Sequence, residues 1–288
     1  MKVFSTTSEN GIASYVVEGE RIHKLHEEVI NFLMEHKRGK RVKGDLANID
    51  LKELLNRDYK FKGERLTKPY EPKEVWGVGI SYFMARQRYS EENVAMIGGK
   101  TIYELIYNSS RPEIFFKATG NRCVGYGEPI AIRRDSKWTL PEPELGVIIN
   151  SKAEILGYTI VDDVSARDIE AENPLYLPQS KTYYNCCAFG PFIVTEDEIG
   201  NPYNLNISLK IRRGGEIIYM GETNTSKLKR KIEEMVDFLM RDNPIPDGTL
   251  LMTGTGIVPG KDITLKQDDI VEIEIEKIGK LVTPVIKL

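Results

Sequence analysis

A chain of 288 residues, 41% hydrophobic and 29% charged, can bury one sizeable core with room for a small appendage. The net charge of −3 gives no electrostatic case for nucleic acid or an anionic membrane, and no apolar run approaches the ~18 residues of a spanning helix. The first twenty residues lack the apolar stretch of a secretory signal, and three cysteines build no disulfide framework, so a reducing cytoplasm is the expected setting.

In chain order, residues 1–70 read as a small N-terminal α+β domain. Alternation in KVFSTTSENGIASYVVEGE predicts a hairpin, and a helix is expected near 19–37, with Ile22, Leu25, Val29, Phe32 and Leu33 at helical spacing. A second short helix is expected in IDLKELLNR. All three histidines, His23, His26 and His36, fall in this unit, so a downstream active site would work without imidazole, which disfavours Ser-His-Asp and Cys-His schemes. The polar, proline-bearing KFKGERLTKPYEPKE marks the boundary to a second domain, 71–288. Its strands are expected at 75–80, 113–117, 129–132, 145–150, 155–162, 192–195, 207–212, 216–220, 250–253 and 269–277. One clear helix, capped by Thr225 or Ser226, carries the stripe Leu228, Ile232, Met235, Val236 and Leu239. FMARQRYSEENVAMIGGKTIYELIYNSS reads as helical or mobile. Many short strands with few helices predict an α+β, mainly β, rolled or closed architecture.

The chemistry concentrates in LPEPELGVIIN. Strand side chains alternate faces, so Glu142 and Glu144 emerge together, roughly 6–7 Å apart at their bases, a spacing that suits oxygen ligation of Mg²⁺. Alternation alone does not separate this pair from the solvated glutamates of VEIEIEK at 271–277. Fewer than twenty residues on, GYTIVDDVSARDIE offers Asp162 and Asp163 at a strand end, where a third carboxylate can complete an oxygen set. Arg167 can hold a substrate carboxylate bidentately or simply pair with Asp168.

In order and spacing, PEPELGVIIN, GYTIVDDVSARD, SKTYYNCCAFGPFI, GETNTSKL and LLMTGTGIVPG resemble the fumarylacetoacetate hydrolase superfamily over residues 74–288. The resemblance implies a mixed β-roll, barrel-like catalytic domain, a homo-oligomer (dimer or tetramer), and Mg²⁺ or Mn²⁺ held by Glu142, Glu144 and Asp163. It maps substrate contacts onto Arg167, Lys181 and Thr255. The family's carbon–carbon hydrolases carry Asn-Tyr-x-x-His after their first catalytic-domain strand. Here VGISYFMARQRY puts Ser81 for the Asn and Ala85 where the His should stand, so a water-activating dyad is not expected. A 2-oxo acid can still chelate the cation through its carboxylate and keto oxygen. The cation then stabilises the enolate formed when a C3 proton leaves, and a C4 hydroxyl can be eliminated.

Lys181 and Glu113 compete for the base, and either fits. Lys117 is structural or substrate-adjacent, and Glu170 stands where the family often has Gln. Ser81, Tyr82, Arg86 and Tyr89 are further expected substrate contacts, the last two in a lid with Arg88, ended by Gly98 and Gly99. GISYFMARQRY, RPEIFFK and SKTYY look most like the family's sugar-acid branch. That implies dehydration of a 2-keto-3-deoxy pentonic acid to 2,5-dioxopentanoate (α-ketoglutarate semialdehyde) in oxidative pentose breakdown. Acylpyruvate hydrolysis and oxaloacetate decarboxylation are the alternatives within the family. A ligand-binding β protein without turnover is the alternative outside it.

Overall fold

The computed structural model describes residues 1–19, 21–39, 46–48, 60–85 and 96–288. The helix expected in IDLKELLNR, and Arg86, Arg88 and Tyr89 of the expected lid, lie outside the described residues.

The hydrophobic strand runs assemble into two mixed sheets. The larger runs in the order Glu113–Ala118, Val75–Gly79, Thr249–Met252, Pro143–Ile149, Ile155–Asp163, Cys187–Thr195, Lys2–Ser8, Gly11–Glu18, Arg21–Lys24 and Leu46–Asn48, with Cys123–Val124 beside Cys187–Thr195, and Glu64–Thr67 between Lys2–Ser8 and Lys60–Phe61. Most neighbours are antiparallel, but Thr249–Met252 runs parallel to Val75–Gly79. The smaller orders Ile130–Ile132, Gly279–Lys287, Ile270–Ile275, Asn206–Arg213 and Glu216–Asn224. The expected mixed, mainly β roll is what forms, but among the described residues neither sheet closes on itself into a barrel.

Alternation explains where the core sits. Leu145, Val147 and Ile149 share one buried cluster with Ile207, Leu209, Ile273 and Leu281 of the smaller sheet, while Ile148 faces a second cluster. That second cluster includes Val29, Phe32 and Leu33 of the helix Val29–Lys37. With both faces covered, every residue of Pro143–Ile149 is buried. The N-terminal strand lies deep in the same sheet, its Lys2, Val3 and Phe4 opposite Val194, Ile193 and Phe192.

Three sequence expectations are corrected. The helix placed near 19–37 begins only at Val29, because Arg21–Lys24 is a strand paired with Gly11–Glu18 and buries Ile22 and His23. Tertiary pairing there overrides a helical spacing that runs through Ile22 and Leu25 by coincidence. Neither Thr225 nor Ser226 caps the long helix. The Asn224 side chain caps a short 3₁₀ turn at Thr225–Lys227, and the helix proper is Ile232–Met240, leaving Leu228 off it. The strand expected at 192–195 starts five residues earlier, at Cys187, since Gly190 and Pro191 interrupt the pattern without ending the strand. Gly279–Lys287 is an additional strand, with Pro284 inside it.

Candidate metal and active site

The acidic residues converge because of strand direction. Val75–Gly79, Thr249–Met252 and Ile155–Asp163 all end at the same edge of the large sheet where their antiparallel neighbours Pro143–Ile149 and Glu113–Ala118 begin. Register then selects the third carboxylate. Pro143 lies opposite Asp162 and Glu144 opposite Val161, so Asp163 shares a face with Glu142 and Glu144, and Asp162 points to the other. Asp162 Oδ1 instead accepts the Glu142 amide N–H at 2.9 Å. One oxygen from each of Glu142, Glu144 and Asp163 lies within 4.8 Å of the others, and all three residues are buried.

A pocket opens over these oxygens. Its walls are Val78, Gly79 and Ile80; Glu113 and Phe115; Glu142, Glu144 and Asp163; Glu170, Leu177 and Lys181; Gly254 and Thr255; and Ala85. The Lys181 ammonium donates to Glu142 Oε2 and Asp163 Oδ2, both at 2.8 Å, and to Ser165 Oγ at 2.6 Å. Glu144 Oε2 accepts the Gly254 N–H at 2.5 Å. Arg167, fully buried, pairs with Glu170.

The electrostatics follow from crowding charge in a place with little water. Burial, then Asp163 and Glu142, push the Glu144 carboxyl well above its usual range. Asp163 goes the other way: burial opposes ionisation, but Lys117 and Lys181 outweigh it and hold the carboxylate below its ordinary value. Lys181 likewise resists its own burial, because Asp163, Glu142 and Glu170 keep the ammonium charged. Glu113 is pushed up to about 7, first by burial and then by Glu170. Among the described residues five carboxyl groups (Glu113, Glu142, Glu144, Asp163, Glu170) gather with three cations (Lys117, Lys181, Arg167); with all five ionised, the excess of two negative charges is what one divalent cation would neutralise. Hard oxygens, three of them convergent, suit Mg²⁺ or Mn²⁺.

Among the residues expected from sequence, the fold brings Glu113, Glu142, Glu144, Asp163, Lys181 and Thr255 to one pocket, with Arg167 directly behind Glu170. It does not bring Ser81 or Tyr82 to the lining. The Ser81 hydroxyl donates to the Thr253 carbonyl, and Tyr82 is 1% exposed in an apolar cluster with Ile80, Tyr103 and Val258. Gly254 was not anticipated, although its role is dictated locally. At φ +90° an added Cβ would stand 1.7 Å from Ser81 Oγ and 2.8 Å from the Val78 carbonyl. Gly254→Ala is therefore expected to cost about 1–3 kcal/mol of stability and to displace the amide that holds Glu144. Thermal melting and a metal titration on the variant check both effects.

A family model described as fumarylacetoacetate (FAA) hydrolase C-terminal matches residues 106–286. The 2-dehydro-3-deoxy-D-arabinonate dehydratase of Saccharolobus solfataricus is 60% identical over 289 residues, covering 100% of this chain and 97% of that protein. A Haloferax volcanii protein named "Probable 2-keto-3-deoxyxylonate dehydratase" is 42% identical over 224 residues, covering 78% of this chain and 76% of that protein. A solved structure of 2-keto-3-deoxy-D-arabinonate dehydratase complexed with magnesium and 2,5-dioxopentanoate superposes with a TM-score of 0.92 at 56% identity, covering 100% of this chain and 99% of that one.

Proposed function

The chain belongs to the fumarylacetoacetate hydrolase family, and from that premise we propose that it is a Mg²⁺- or Mn²⁺-dependent dehydratase converting 2-keto-3-deoxy-D-arabinonate to 2,5-dioxopentanoate. The observation that carries the reading is Ala85. A methyl group lines the pocket where the family's hydrolases place a histidine, and none of this chain's three histidines reaches the pocket. The site thus has an acidic cation cradle and acid–base groups but no imidazole to activate water. Kinship to the two dehydratases supports the same choice.

Glu142, Glu144 and Asp163 would hold the cation. When bound, it supplies positive charge against the negative charge that develops on the substrate's keto oxygen as a C3 proton leaves. Glu113 is the group suited to take that proton, since a carboxyl raised to about 7 is both available as base and strong enough to hold the proton afterwards. Lys181, kept charged by its carboxylate neighbours, is suited to protonate the departing C4 hydroxyl, so water leaves and a C3–C4 double bond forms. A proton shift from C5 to C3 and ketonisation then give the aldehyde, with no oxidant or reductant consumed. Arg167 and Thr255 are proposed to orient the substrate carboxylate.

We extend the proposal to a cytoplasmic homo-oligomer in which residues 71–288 carry the chemistry and 1–70 form the smaller unit. No helix among the described residues is long and apolar enough to cross a membrane.

Incubation with Mg²⁺ and 2-keto-3-deoxy-D-arabinonate is expected to yield 2,5-dioxopentanoate, scored as an aldehyde-bearing 2-oxo acid. Pyruvate plus glycolaldehyde would replace dehydration with aldol cleavage. Loss of CO₂ from oxaloacetate at a higher kcat/KM would favour a decarboxylase.

A further inference from the structure

Lys117 stands behind the carboxylate cluster, outside the pocket lining. Its strand carries Glu113, Phe115 and Lys117 on alternate positions, and the first two line the pocket. Between Phe116 and Ala118 the register against Val75–Gly79 slips, leaving Lys117 as the extra residue of a bulge. Bulges re-aim a side chain, and this one sends a fully buried ammonium to Asp163 Oδ1, 2.5 Å away, on the opposite side from Lys181 at Oδ2. The same ammonium donates to the Val164 carbonyl at 2.9 Å, so its position is fixed from the backbone of the strand end that carries Asp163. The Lys117 carbonyl is itself held by the Thr182 hydroxyl at 2.9 Å, next to Lys181 in sequence.

We propose that Lys117 is a positioning residue for the metal centre: it locks the Asp163 carboxylate by Oδ1 so that Oδ2 is presented to the cation. This rests on the reading of Glu142, Glu144 and Asp163 as the cation site. Lys117 touches neither substrate nor cation in this role. Its place outside the pocket lining separates it from Lys181, which lines the pocket.

The sign of one measurement separates positioning from mere charge. A cation beside the metal's ligands repels the metal, so if Lys117 acted only through its field, removing it would tighten metal binding. If it orients Asp163, removing it weakens binding, by roughly 10–100-fold as for other partners that orient a metal's ligands. Lys117→Met keeps the stem and removes the ammonium, and Lys117→Gln keeps an N–H donor for Asp163. The experiment is Mn²⁺ and Mg²⁺ titration by calorimetry on the wild type and both variants, with kcat measured across metal concentration.

The expected result is a metal Kd raised roughly 10–100-fold in Lys117→Met, less in Lys117→Gln, with kcat at saturating metal changed by a smaller factor than Kd. Unchanged or tighter metal binding in a folded Lys117→Met overturns the proposal, as does a kcat loss at saturating metal larger than the Kd change. If Lys117→Met does not fold, Lys117→Gln carries the test: weaker binding supports the proposal, and unchanged or tighter binding overturns it. A wild type that binds neither metal overturns the cation-site reading itself, and this proposal with it.

Discussion

Asp163→Asn and Glu144→Gln should both abolish metal-dependent turnover, yet only Asp163→Asn should destabilise the metal-free protein. Each removes one of three convergent oxygens, and the several kcal/mol of charge stabilisation a cation supplies corresponds to a loss in kcat/KM on the order of 10³-fold or more. Their surroundings differ. Asp163 is gripped by Lys117 and Lys181, and neutralising it leaves Lys117 buried without its carboxylate, a type of loss that costs roughly 3–5 kcal/mol. Among the described residues no cation pairs directly with Glu144, and burial with Asp163 and Glu142 nearby raises its carboxyl. Glu144→Gln relieves that repulsion, so its melting temperature without metal should equal or exceed that of the wild type. Melting curves with and without EDTA, beside a turnover assay, decide the matter. Retained turnover at saturating Mg²⁺ in either variant would remove that residue from the ligand set.

Glu113→Gln should lower kcat by roughly 10²–10⁴-fold while leaving the metal Kd nearly unchanged. Its pH signature is specific. The Glu113 carboxyl is raised to about 7, by burial first and by Glu170 next, and its ordinary value is 4.5. A carboxyl with a raised folded value favours folding in its protonated form. That contribution is fully present below pH 4.5 and is lost as pH rises through about 7. The metal-free wild type should therefore lose melting temperature relative to Glu113→Gln across that window, and the two should run parallel outside it. For catalysis the sign is reversed, because the ionised form is the base. Wild-type kcat/KM should rise with pH and level off at or below about 7, the bound cation drawing the break downward. A profile flat from pH 5 to 8 would take Glu113 out of the proton-transfer role and return Lys181 to it.

What was legible in the sequence was set by local alternation and motif order. Glu142 and Glu144 share a face because they are two apart on one strand, and that holds in any fold that keeps the strand. The choice of Asp163 over Asp162 is a matter of register between two strands, which no local pattern specifies; only the family resemblance pointed to it. The protonation preference of Lys181 was likewise hidden. The sequence leaves Lys181 free to act as a base, whereas the carboxylates that fold against it keep its ammonium charged when no metal is bound. Ser81 and Tyr82 look like pocket residues because they follow a pocket strand. Ile80 at φ 50° turns the chain there, and the two side chains go to Thr253 and to an apolar cluster. The strand Arg21–Lys24 was misread because four residues between turns satisfy a helical and a strand spacing equally well. Lys117 stands out in the sequence as structural or substrate-adjacent, but the i, i+2, i+4 alternation from Glu113 and Phe115 points it into the pocket, and the bulge at Lys117 is what turns it behind Asp163 instead.

The place of Lys2–Ser8 in the large sheet has a bearing on how the molecule is made. Its hairpin partner, Gly11–Glu18, emerges from the ribosome at once, but the strand that pairs Lys2–Phe4 on the other side, Cys187–Thr195, is synthesised some 190 residues later. Glu64–Thr67 covers Ser5–Thr7 on that side, but until Cys187–Thr195 arrives the Lys2–Phe4 half offers an open edge to any other strand, its own or a neighbouring chain's. The acidic cradle assembles from strands between 75 and 255 and depends on the same late pairing, since Asp163 leaves a strand whose far neighbour is Cys187–Thr195. Nascent chains arrested before residue 187 should therefore expose an aggregation-prone edge at Lys2–Phe4 and bind no divalent cation; release of Cys187–Thr195 should close the edge, whereas cation binding also awaits Thr249–Met252 and Gly254.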